Sequence, residues 1–118
     1  LTTLLQEIES DISNYYIKGE EDYAFSNVDQ IWQDASFLSL VNQNDRIYGR
    51  EEDWIQILGI GSELKQDFHF EESFQGIEEN HFTIALLHEP DAIREIEDKT
   101  VQLALAGHSH ANQLQFLI

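Results

Sequence analysis

Three of the five histidines in this chain stand near its C-terminal end, in "FTIALLHEPD" and "VQLALAGHSHANQ". His88 and His108 each follow a run of strand-forming residues, and His110 comes two positions after His108. A neutral imidazole keeps one nitrogen lone pair free for a first-row transition metal, at about 2.1 Å. In an extended or tightly turned segment, residues i and i+2 can point toward one locality. Three imidazoles converge if the strands carrying His88 and His108 are neighbours. The opposing reading is that "GHSH" is a turn with exposed imidazoles, the usual fate of an isolated His-x-His pair. His69 and His81 lack comparable placement and read as surface or boundary residues.

The elements that would hold these groups follow from periodicity and punctuation. Leu1, Leu4, Leu5, Ile8 and Ile12 repeat at helical spacing, which predicts an amphipathic helix from Leu1 to about Ser13. "NYYIKG" reads as a short strand stopped by Gly19, "EEDYAFSN" as a loop, and "NVDQIWQDAS" as a short helix with Asn27 at its N-cap. "FLSLVNQNDRIYGREEDWIQILGIG" reads as strand, turn, strand, with turn chemistry at Asn42 to Asp45 and Gly49 to Asp53. "WIQILGIG" is the expected central strand. "SELKQDF" and "FEESFQGIEEN" are expected to be helical. Then come a strand "FTIALLH", a helix "EPDAIREIEDK", a strand "VQLALAGH", a turn "SHAN" and a last strand "QLQFLI". Pro90 opens its helix where a missing N–H costs nothing. The late strands are short and very apolar, as strands buried in a layered α/β fold are. Strand ends in such folds hold binding groups rigidly while adjoining loops leave them open to solvent.

The 118 residues make one modest domain with one core, and the hydrophobic fraction of 42% is that of an ordinary globular chain. With seven Phe, four Tyr and two Trp, disorder is not expected. No repeat, linker or low-complexity tract divides the sequence, so residues 1–118 are read as a single domain. The lack of cysteine excludes disulfides, thiol nucleophiles and thiolate metal sites. A formal charge of −17 repels nucleic-acid backbones and anionic lipid surfaces and attracts cations. No apolar run reaches the roughly 20 residues of a membrane span. A cytoplasmic location is expected. The chain opens on Leu1 rather than Met, so residues upstream are expected.

Together, "LLHEPD" and "LALAGHSHANQ" resemble the C-terminal metal-binding motifs of the calcineurin-like metallophosphoesterases. "YYIKGEEDY" sits where that family carries strand-Gly-Asn-His-Asp/Glu. The resemblance covers nearly the whole chain. It implies an α/β (α+β type) fold, the C-terminal part of a four-layer α/β/β/α sandwich. It also implies hydrolysis of phosphate mono- or diesters by water activated between two divalent metals, Mn, Fe or Zn. His88 and His108 match the histidines that ligate the second metal, and His110 one that ligates the first. Glu20 stands where the family has a ligating Asn. It can still ligate, with a negative charge that Asn lacks. Glu21 replaces a histidine on the leaving-group side of the phosphate, and Asp22 keeps the acid that ends the motif; these two are the catalytic candidates.

The family's earlier motifs, Asp-x-His and Gly-Asp-x-x-Asp, are not in the chain. "LTTLLQEIESDIS" resembles the helix that follows the second of them. The resemblance therefore implies an incomplete domain, lacking N-terminal strands and probed alone expected to be inactive. "GHSHANQ" also departs from the two glycines that many members carry before Gln, at Ala111 and Asn112. Two functions are compatible with these residues. One is a metal-dependent phosphoesterase acting on a phosphate-ester substrate. The other is a non-catalytic relative whose altered Gly-Glu-Glu-Asp segment serves interaction or regulation. An uncovered sheet edge would invite a second copy, so a homo-oligomer is an expected partner.

Overall fold

The computed structural model describes residues 2–8, 12–108 and 114–116. His110, Ala111 and Asn112, and with them the expected "SHAN" turn, lie outside the described residues.

Two sheets form. The larger has the order β3 (Gln43–Tyr48), β4 (Trp54–Gly59), β5 (Thr83–Leu87), β6 (Leu103–Ala106), β7 (Leu114–Phe116). β4, β5 and β6 run parallel, while β3 and β7 are antiparallel edge strands. The smaller is a parallel pair, β1 (Asn14–Tyr16) and β2 (Phe37–Ser39). Helices are short: α1 (Thr2–Gln6), α2 (Val28–Asp34) and α3 (Phe70–Ser73), with 3-10 segments at Glu20–Ala24 and Pro90–Ile96. The mixed α/β composition agrees with the sequence.

Each sheet has its own core. Leu58, Ile60, Ala85, Leu87 and Ala104 share one face of the larger sheet. They pack against Ala92, Ile93 and Ile96 of the second 3-10 segment and against the phenylalanines around α3. β5 shows why: Thr83, Ala85 and Leu87 alternate as its buried residues, the period-2 pattern of a strand. Burying one such Leu or Ile contributes about 1.5–3 kcal/mol. On the smaller sheet, Tyr16 and Phe37 pack with Leu5, Ala35, Ile31 and Trp32. The Tyr16 and Trp32 rings stack at 5.2 Å between centroids.

The two sheets meet backbone to side chain at Gly59. A Cβ there would lie 2.3 Å from the Leu40 carbonyl oxygen and 2.7 Å from Ile17 Cγ2. Only glycine allows that approach. An open cavity of about 420 Å³ lies between the sheets, lined by Tyr15, Ile17, Leu86, Leu105 and Ala106 and ending at Gly19 and His88.

Several sequence expectations are corrected. The expected turn at Asn42 to Asp45 is replaced by the start of β3 at Gln43, with Asn42 alone left-handed at φ 54°. "WIQILGIG" does form an interior strand, β4, between β3 at the edge and β5. The turn at Gly49 to Asp53 is found, closed by Gly49 N–H donating to the Asp53 carbonyl at 2.7 Å. "SELKQDF" is a turn rather than a helix, with Gln66 at φ 57°. "FEESFQGIEEN" is helical only over Phe70–Ser73, and Gly76 at φ 81° prevents continuation. "EEDYAFSN" contains the first 3-10 segment instead of being wholly loop. Asn27 precedes α2, but its side chain makes no cap hydrogen bond. Of the first expected helix, Thr2–Gln6 is helical, and residues 9–11 lie outside the described residues.

Candidate metal centre

Three chain segments bring their polar groups to one place. β5 ends at Leu87 and delivers His88; β6 ends at Ala106 and delivers His108. The strands are parallel neighbours with Leu87 opposite Ala106, so both histidines leave the same edge of the sheet. Gly107 N–H donates to the His88 carbonyl at 3.0 Å, which extends the pairing to the histidines themselves. The ring centroids of His88 and His108 are 5.2 Å apart in an edge-to-face arrangement. His108 has φ 62°, a left-handed conformation uncommon for a non-glycine residue, and such conformations concentrate where a side chain must be aimed.

The third group comes from the smaller sheet. After β1 the chain passes Gly19 and enters the 3-10 segment Glu20–Ala24. Gly19 N–H donates to Asp22 Oδ2 at 2.8 Å, so Asp22 folds the turn back on itself. That turn presents Glu20 to both histidines: Oε2 lies 3.2 Å from His88 Nε2 and 2.9 Å from His108 Nδ1. Neither approach has hydrogen-bond geometry, and Glu20 Oε2 is buried without a hydrogen-bond partner among the described residues. An unsatisfied buried oxygen is costly and rare in a folded protein. One carboxylate oxygen and two imidazole nitrogens, all within 4.8 Å of one another, are a set of donors that fits a divalent cation. His88 also lies over Gly19, whose missing side chain leaves the space for the ring.

The other sequence candidates sit differently. Glu21, next to Glu20 in the chain, is exposed and is not one of the grouped donors. Asp22 is occupied by the Gly19 N–H, which makes it a residue that shapes the turn. His69 is exposed, and His81 stacks on Trp54 at 3.5 Å just before the start of β5, at the opposite end of that strand from His88, as expected for surface or boundary residues.

Behind the three donors is a polar network that sequence reasoning missed. Glu89, next to His88, is only 5% exposed and accepts a short hydrogen bond from Ser62 Oγ. Ser62 N–H donates to Tyr23 Oη at 3.3 Å, and Tyr23 donates to Asp67 Oδ2 at 2.7 Å. Desolvation by burial, and then the bond to Asp67, push the Tyr23 phenol well above its usual range. Asn42 Nδ2 donates to the Asp67 carbonyl at 2.7 Å, while its Oδ1 accepts from Gly61 N–H at 2.9 Å. The only sequence signal was the acid directly after His88.

Comparison with known proteins agrees with this chemistry. The chain is 27% identical over 127 aligned residues to a Bos taurus protein named "Transmembrane protein with metallophosphoesterase domain", covering 93% of this chain and 29% of that protein. It is 24% identical over 117 residues to an uncharacterised metallophosphoesterase of Bacillus subtilis strain 168, covering 95% of this chain and 43% of that protein. A second uncharacterised metallophosphoesterase of that bacterium is 33% identical over 61 residues, covering 52% of this chain and 21% of that protein. The chain thus spans less than half the length of these curated relatives. No protein-family model matches it, and no solved structure matches it. The similarities, taken with the cation-compatible donors, support a metallophosphoesterase relationship for this chain.

Proposed function

We propose that this chain is part of a divalent-metal-dependent phosphoesterase, and that Glu20, His88 and His108 are its metal ligands. The observation that carries the reading is the approach of one unpartnered carboxylate oxygen to two imidazole nitrogens. His110 joins the ligands through the family resemblance. The wider architecture proposed is the C-terminal part of an α/β/β/α sandwich. A bound divalent cation, one of two in a complete site, lowers the pKa of water to near neutrality and neutralises charge on phosphate oxygens.

The residues of this chain serve that chemistry by position. His88 and His108 are fixed by β5 and β6, so their nitrogens need little reorganisation. Glu20 adds a negative charge to the donors, which strengthens cation binding and weakens attraction for an anionic ester. Glu21 takes the leaving-group side through the family resemblance; it donates a proton only when protonated and repels phosphate when ionised. Asp22 holds the turn that presents both acids.

The test is metal-dependent turnover of a generic aryl phosphate ester by the full-length protein with Mn2+, Zn2+ or Ni2+. Saturable turnover that is lost in His88→Ala and His108→Ala is expected. Metal-independent turnover would overturn the reading. Tight metal binding without turnover would favour the second reading, a non-catalytic module. That alternative draws on the exposed acid at position 21 where the resemblance implies a histidine.

A further inference from the structure

We propose that Ser62, Glu89 and Tyr23 form a clasp that sets the spacing between Glu20 and His88, making them positioning residues for the cation. This inference rests on the metal-site reading.

The two donors belong to different sheets, so something must fix their separation. Glu20 belongs to the 3-10 segment that follows β1, and His88 to the end of β5. These segments touch at the site where His88 sits over Gly19 and where Glu20 Oε2 meets His88 Nε2. A second connection runs behind it. Tyr23 lies in the same 3-10 segment as Glu20, and its Oη accepts from Ser62 N–H. Ser62 Oγ donates to Glu89 Oε1, and Glu89 is bonded through its peptide to His88. Glu63 N–H approaches the other carboxylate oxygen at 3.4 Å, and Lys65 N–H donates to Ser62 Oγ at 3.3 Å. Ser62 thus bonds to both sides of the site at once, one bond through its backbone and one through its side chain.

The burial of this arrangement is informative. Ser62 is fully buried and Glu89 is 5% exposed. A carboxylate taken out of water costs several kcal/mol, recovered only through well-formed hydrogen bonds. An apolar residue at position 89 would avoid that cost, and one at position 62 would leave the buried carboxylate without its Ser62 bond; either would leave the 3-10 segment and the β5 end untied. Groups hydrogen-bonded to metal ligands typically change metal affinity 10–100-fold when lost, and the clasp acts on the same ligands through the peptide joining Glu89 to His88 and through the segment that Tyr23 shares with Glu20.

The experiment compares wild-type full-length protein with Ser62→Ala, Tyr23→Phe, Glu89→Leu and Glu89→Gln. The last keeps an acceptor for Ser62 Oγ–H. Zn2+ affinity is measured by calorimetry, and the visible spectrum of the Co2+-substituted protein reports ligand geometry. In metal-free samples at one fixed pH, imidazole 15N shifts of His88 report its surroundings. Folding is checked by circular dichroism. We expect the first three variants to bind Zn2+ about 10–100-fold more weakly, with an altered Co2+ spectrum and displaced His88 shifts. Glu89→Gln should stay near wild type. Wild-type affinity, spectrum and shifts in Ser62→Ala and Glu89→Leu would overturn the clasp. If wild-type protein binds no metal while the His88 shifts still respond, the metal reading fails and the clasp stands. If neither responds, both fail.

Discussion

The imidazole of His88 occupies the space where Gly19 would carry a side chain: a Cβ on Gly19 would lie 2.7 Å from His88 Cε1 and 3.0 Å from Nδ1. Gly19 has φ −84° and ψ 167°, ordinary extended values. The need for glycine here is therefore one of contact and not of backbone conformation. Gly19→Ala should displace the His88 ring while sparing the fold. Its thermal midpoint in the absence of metal should stay within a few degrees of wild type, equivalent to less than about 1 kcal/mol. Zn2+ affinity by calorimetry should fall at least about tenfold.

Glu20 gives a second separation of binding from stability. Its Oε2 is buried with no hydrogen bond among the described residues, so metal-free protein gains little from it. Glu20→Ala should leave metal-free stability unchanged or slightly higher. The rise in thermal midpoint on adding metal, a mass-action effect, should shrink sharply. Differential scanning fluorimetry with and without excess Zn2+ checks both halves.

Gly59 behaves in the opposite way. The atom that a Cβ would meet at 2.3 Å is the Leu40 carbonyl oxygen, which belongs to the backbone and cannot swing aside. Gly59→Ala should therefore destabilise the fold itself, by about 1–3 kcal/mol or more. Urea unfolding followed by tryptophan fluorescence measures it.

Alkaline stability should report on Tyr23. Burial and the bond to Asp67 raise its folded pKa above the unfolded value near 10. The folded state then holds the phenolic proton more tightly than the unfolded state. The associated stability is fully present below about pH 10 and is lost as pH rises beyond it, toward the folded pKa. Urea midpoints should fall between about pH 10 and 12, and the slope should be shallower in Tyr23→Phe.

The sequence was most informative where one physical signal dominated. β5 and β6 are short apolar runs ending in histidine, and their parallel pairing brings His88 and His108 together as expected. Glu20 was reachable because it follows Gly19, although the contact that makes this glycine necessary involves a ring far along the chain. β3 was hidden because its "QNDRIY" residues are polar and look like turn formers. An edge strand needs only one bonded neighbour and can leave its side chains in water. In "SELKQDF", local helical propensity lost to tertiary bonds: Ser62 is held by Glu89 and Tyr23, residues distant in sequence that no local pattern connects. His110, the remaining candidate, lies outside the described residues.

Glu20 hangs from one sheet and both histidines from the other, and each sheet has a separate core. A cation shared among the three would work as a rivet through two plates. Prising the plates apart would require breaking coordination, and stripping the ion would leave them held by the Gly59 contact and the Ser62 bonds alone. Occupancy would then add to mechanical cohesion, an increment read by a chelator or by an optical trap.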